Sequence, residues 1–138
     1  MIDYGKLQKA LKHLELQFAN MQGLDSSQPQ LIREAVAESV IQRFETCYDC
    51  LWKVLKRFLI EELGLPETPN SPKPVLRIAF ENDLLKSGIE SWLNYAEARI
   101  GTSHDYSGEK ALAAIEIMPA FINDAISLYK NMSKEEWQ

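Results

Sequence analysis

"PQLIREAVAESVIQRFETCYDCLWKVLKRFLIEEL", Pro29 to Leu63, decides the fold. It has no internal proline or glycine, and its apolar residues recur at steps of three and four. Phe44, Tyr48, Leu51, Leu55 and Phe58 make one seam; Val36, Val40, Cys47 and Val54 make a second beside it. Together they cover more than half of a helix's circumference, so the segment predicts a long central helix with neighbours on several sides. Glu45, Asp49, Lys53 and Lys56 mark its wet stripe. Asp49 and Lys53 are spaced as an i,i+4 ion pair on it.

The flanking sequence repeats the pattern on either side. Upstream, Tyr4, Leu7, Leu11, Leu14, Phe18 and Met21 predict an amphipathic helix that Gly23 ends, and "DSSQPQ" reads as a polar connection. Downstream, "GLPETPNSPKP" is too rich in proline to be helical. Ser71 and Pro72 signal the start of a third helix reaching about Lys86, with Leu76, Ala79, Phe80 and Leu84 inward. A fourth helix carries Ile89, Trp92, Leu93, Ala96 and Ile100, with Gly101 placed as its stop. A fifth begins between Asp105 and Glu109 and ends near Met132. Its apolar positions are Leu112, Ile115, Phe121, Ile122, Ala125 and Leu128, and Pro119 is expected to kink it. No segment alternates with period two. The chain therefore predicts an all-α, up-and-down bundle of about five helices in one domain, residues 1–138.

The totals agree. A chain of 138 residues, nearly half of them hydrophobic, fits one core. The formal net charge of −5 argues against a DNA-coating protein, so no DNA is expected; a local basic patch still leaves room for RNA. No run of 18 apolar residues stands out, and no membrane span is expected. The N-terminus lacks the apolar run of a signal peptide. The two cysteines, Cys47 and Cys50, sit in one helical pattern, which fits a cytoplasmic protein with reduced thiols. As a C-x-x-C pair they lack the second pair that zinc requires, so no metal is expected.

"ARIGTSHDY", Ala98 to Tyr106, interrupts the helical pattern. Arg99 falls in the last turn of the fourth helix, and His104 and Tyr106 fall in the connection or the next first turn. One reading is a polar turn in which Arg99 caps helix carbonyls and His104 packs. The other is a phosphate site: guanidinium offers a fixed fork of donors, imidazole moves protons near neutral pH, and a tyrosine hydroxyl can act as nucleophile. Lys53, Lys56 and Arg57 form a small basic cluster, read either as a solvated face or as a surface for nucleotide phosphate or an acidic partner. His13 lies off the apolar stripe and reads as solvated. Trp52 and Trp92 read as core or interface anchors, and Trp137 sits in a polar tail. The paired aspartates and strands of a nucleotidyltransferase catalytic subunit are missing from the pattern, so such chemistry would belong to a partner chain.

The order arginine, four residues, histidine, one residue, tyrosine resembles the signature of the HEPN superfamily. "RFETCYDCLWKVLK" and "SPKPVLRIAFENDLL" followed by Trp92 resemble consecutive segments of the nucleotidyltransferase substrate-binding protein family. The resemblance implies a helical bundle that homodimerises, with the arginine–histidine site near the dimer interface, and a small nucleotidyltransferase as partner. It further implies a toxin–antitoxin pair in which Arg99 and His104 are the catalytic pair of a metal-independent RNase. Tyr106 would be the acceptor of AMP from ATP used by the partner, the chain needing no cofactor of its own. Active members often carry asparagine after the arginine. Here Ile100 stands there, and an aliphatic side chain offers no hydrogen bond. That ranks a binding and acceptor subunit above an autonomous RNase.

Overall fold

The computed structural model describes residues 1–104 and 108–138. They form five helices: α1 (Gly5–Gly23), α2 (Gln30–Glu61), α3 (Pro72–Glu81), α4 (Ile89–Thr102) and α5 (Glu109–Ser133). No strand occurs among the described residues. The all-α bundle expected from the spacing is the observed fold. The 32-residue α2 packs against each of the other four helices, as its two seams require.

The core is tied together by aromatic rings. Phe121 of α5 meets Phe44 of α2 edge-on with centroids 5.0 Å apart, and Tyr95 of α4 at 5.3 Å. Trp92 stacks edge-on with Tyr95 at 5.3 Å. Edge-to-face pairs at such spacing add about 1 kcal/mol each beyond area burial. Trp92 and Trp52 are thus core residues. Cys47 is buried and Cys50 half-buried, both as free thiols, and burial pushes each thiol's pKa up.

Several positions depart from the spacing. α3 stops at Glu81 rather than reaching Lys86. Asp83 adopts a left-handed conformation (φ 59°), and the Leu84 N–H reaches back to the Ala79 carbonyl at 3.1 Å, a Schellman-type stop. Leu84 continues the apolar period beyond this stop, which hid it. Gly101 does not end α4; the helix passes through it to Thr102, and a side chain there would meet Lys110 of α5 at 3.3 Å. Phe80, Ile100 and Leu112 are exposed, while Val75, Tyr95 and Ala111 take inward positions.

Two further features concern α5 and the tail. α5 is long and apolar enough, by length and mean hydropathy, to cross a membrane, although Glu116 and Asp124 interrupt its apolar residues. In the bundle it is a core helix, burying Met118, Phe121, Ala125 and Leu128 and continuing through an exposed Pro119. The tail is docked: Trp137 donates from Nε1 to Glu15 at 3.1 Å, stacks on Tyr129 and lies under Lys12.

Candidate functional site at the α4–α5 corner

Arg99 projects from the last turn of α4 onto α2. Its fork is bidentate on Asp49, with Nε donating to Oδ1 at 3.1 Å and Nη2 to Oδ2 at 3.0 Å. Nη1 donates to Glu45 Oε2 at 3.1 Å and to Ser103 Oγ at 2.7 Å. Glu45 and Asp49 are four residues apart and so share one face of α2. The buried Thr102 hydroxyl lies 2.8 Å from the same Glu45 oxygen. The guanidinium therefore joins α4 to α2 through two carboxylates, and the expected Asp49–Lys53 pairing gives way to it. Lys53 instead lies over the Trp52 ring. Charge balance at this corner is held within the protein rather than left open for an anion.

A cleft of about 310 Å3 opens beside Arg99, between α2, α4 and the start of α3. Ser71 and Lys73 stand on one wall, and Ala96 and Ile100 on the other. Ser71 begins α3 as expected, but its hydroxyl makes no capping bond. Lys73 pairs with Glu97 across the cleft. Tyr48 contributes to the floor; its hydroxyl is buried and has no hydrogen-bond partner among the described residues. Burial, and then the neighbouring Asp49 carboxylate, raise its pKa well above the ordinary tyrosine value.

Two of the three predicted site residues fall among the described residues. Arg99 sits in the cleft, and His104 stands exposed on the turn after α4, its backbone N–H bonded to the Gly101 carbonyl at 3.2 Å. Tyr106 lies outside the described residues. Ile100 lines the cleft mouth and is half exposed. Of the basic cluster, Lys53 and Arg57 share a furrow between α1 and α2, whereas Lys56 turns to Asn70 of the α2–α3 loop. His13, exposed as expected, accepts from Arg43 across the helix pair, Nη1 to Nδ1 at 2.9 Å. The sequence reading missed Glu45 and Asp49 as partners of Arg99, and Tyr48, Ser71 and Lys73 as cleft residues. The only signal for the first pair was two acids one turn apart on α2. Among the described residues no cluster of three or more histidine, cysteine or acidic side chains could hold a metal.

A family model described as "Nucleotidyltransferase substrate binding protein like" matches residues 2–134. The chain belongs to that family. A curated relative, "Probable ribonuclease HepT" of Haemophilus influenzae, is 26% identical over 111 residues, covering 76% of this chain and 73% of its own. A protein of Thermus thermophilus superposes with a TM-score of 0.76 at 28% identity, over 92% of this chain and 98% of that one. HI0074 of Haemophilus influenzae, described as having the fold of a substrate binding domain of a nucleotidyltransferase, superposes with a TM-score of 0.81 at 24% identity. That match covers 94% of this chain and 98% of the other. The likeness in fold to these two structures thus extends along nearly the whole chain.

Proposed function

We propose that this chain is the binding and acceptor subunit of a two-chain nucleotidyltransferase system, working in the cytoplasm as the HEPN member of a toxin–antitoxin pair. The partner subunit would bind ATP and transfer AMP to Tyr106. In that step the phenolic oxygen attacks the α-phosphorus, an oxygen–phosphorus bond forms, pyrophosphate leaves, and the phenolic proton passes to solvent. The observation that supports this reading over a nuclease is the engaged fork of Arg99, which Glu45 and Asp49 hold against α2. AMP on Tyr106 would add bulk and negative charge to the segment between α4 and α5. The test is to incubate the chain with a small nucleotidyltransferase from the same source and ATP and weigh it intact. A gain of one adenylyl group that disappears in Tyr106→Phe is expected. A gain that survives that substitution removes the acceptor assignment.

A second reading, a metal-independent RNase, is favoured by the relative named a probable ribonuclease. His104 would take the 2′-hydroxyl proton and Arg99 would steady charge on the phosphate, with a second copy of the chain supplying a second histidine. Expressed alone, a nuclease arrests growth and His104→Ala relieves the arrest. An inert wild type leaves the acceptor role standing.

A further inference from the structure

The furrow between α1 and α2 carries a charge pattern opposite to that of the chain as a whole. Lys6 and Lys9 on α1 stand across it from Arg43, Lys53 and Arg57 on α2, all five exposed. Two clefts of about 460 and 300 Å3 share Lys6, Ala10 and Thr46, so they form one continuous groove. Arg43, Thr46, Cys50, Lys53 and Arg57 follow one another at steps of three and four, which keeps the row on one side of α2 over about 21 Å. Three carboxylates stand near it, Asp3 among them, which acts on Arg57. Asp49 is engaged by Arg99, and Glu61 pairs with Arg57 at 2.9 Å. In a protein of net charge −5, Lys6, Lys9, Arg43 and Lys53 concentrate positive potential along one groove, Arg57 being balanced by Glu61.

The lining says what would bind. Between the cations the lining is Ala10, His13, Thr46, Asp49, Cys50 and Val54, with no phenylalanine, tyrosine or tryptophan to serve as an anchor. Protein interfaces concentrate their energy in buried aromatic and arginine anchors seated in pockets. Cations along both rims of a groove instead match a regularly charged backbone. Two joined clefts of about 460 and 300 Å3 leave room for the backbone of one strand and not for a duplex. We propose that this furrow binds the phosphodiester backbone of a single-stranded nucleic acid. Asp49 lines both this furrow and the Arg99 cleft, so a strand seated here runs towards the α4–α5 corner. The proposal does not depend on modification of Tyr106.

The test is fluorescence anisotropy with a labelled oligouridylate and an oligothymidylate of equal length, titrated between about 50 and 200 mM salt. Single strands lose about 0.7 in log–log slope per phosphate neutralised, so the wild type is expected to show a slope of about −3. Lys6→Gln with Lys53→Gln should weaken binding about tenfold and reduce the slope by about 1.4. Equal binding of both oligomers upholds backbone recognition alone; tighter binding of the RNA upholds it with a 2′-hydroxyl contact added. Unchanged affinity and slope in the double variant overturns the proposal. So does a variant that still binds oligonucleotide but no longer co-purifies with the nucleotidyltransferase, since the furrow is then a protein dock. Intact mass after incubation with partner and ATP is read separately on the same variant, so failure of the acceptor reading is distinguishable.

Discussion

Arg99 is asked to do two incompatible things. A guanidinium that clamps a phosphate must have free donors, and here its fork already serves Asp49, Glu45 and Ser103. It is three-quarters buried, and Glu45 more so, which lifts the pair above the fraction of a kcal/mol of an exposed bridge. Removing the cation leaves two carboxylates one turn apart with nothing between them. Arg99→Ala should therefore lower unfolding free energy by about 1–3 kcal/mol in urea titration. Adding Glu45→Gln to it should restore part of the loss, because it removes one of the two like charges. Arg99→Lys should recover little, since an ammonium cannot reproduce the bidentate contact. A full-strength Arg99→Ala protein would mean that the contact is only a surface bridge.

Among the helices, starts were more legible than stops. Ser71 and Pro72 announce α3 because proline fixes the first-turn dihedral and lacks a donor that the turn would leave idle. Its end was hidden because Leu84 and Leu85 keep the apolar period while the backbone has already reversed at Asp83. Asp83→Gly should stabilise the fold by up to about 1 kcal/mol in thermal unfolding, as glycine adopts this conformation without steric cost. Gly101 misled in the opposite direction. A glycine near a helix end reads as a stop, yet here it lets α5 approach through Lys110. Contacts between distant segments carry no local signal at all. Tyr95 and Ser87 both donate to Asp124, fastening the α4 region to α5. Burial, then the bond to the Asp124 carboxylate, raise the Tyr95 pKa above its ordinary value of 10.0. The folded state thus favours the protonated phenol. Its contribution is complete below about pH 10 and fades as pH rises through the higher folded value. Tyr95→Phe should cost about 1 kcal/mol at neutral pH and show a shallower alkaline loss than the wild type in urea midpoints.

The bundle does not cover all of α2. Residues 30–39 include no buried side chain, so the first turns of α2 extend beyond the core as an arm. Leu31 is 79% exposed, and Leu112 of α5, beside the same stripe, is 64% exposed. Leu112 lines a groove with Ala37, Ile41, Ala111 and Ile115, and Glu34 and Glu38 edge it. Ile100 adds a further exposed aliphatic side chain close to Arg99. The spacing of Leu112 read as a core position because an exposed leucine leaves the same apolar period as a buried one. An apolar surface of this kind marks an association site. The homodimer implied by the HEPN resemblance would cover it, with each copy presenting the same patch about a two-fold axis. Sedimentation of the wild type at micromolar concentration is expected to give a dimer whose melting temperature rises with concentration. Leu112→Glu places two charges against each other across that axis and should yield a folded monomer with unaltered circular dichroism. A monomeric wild type, or a Leu112→Glu protein that still dimerises, would assign this face to another partner.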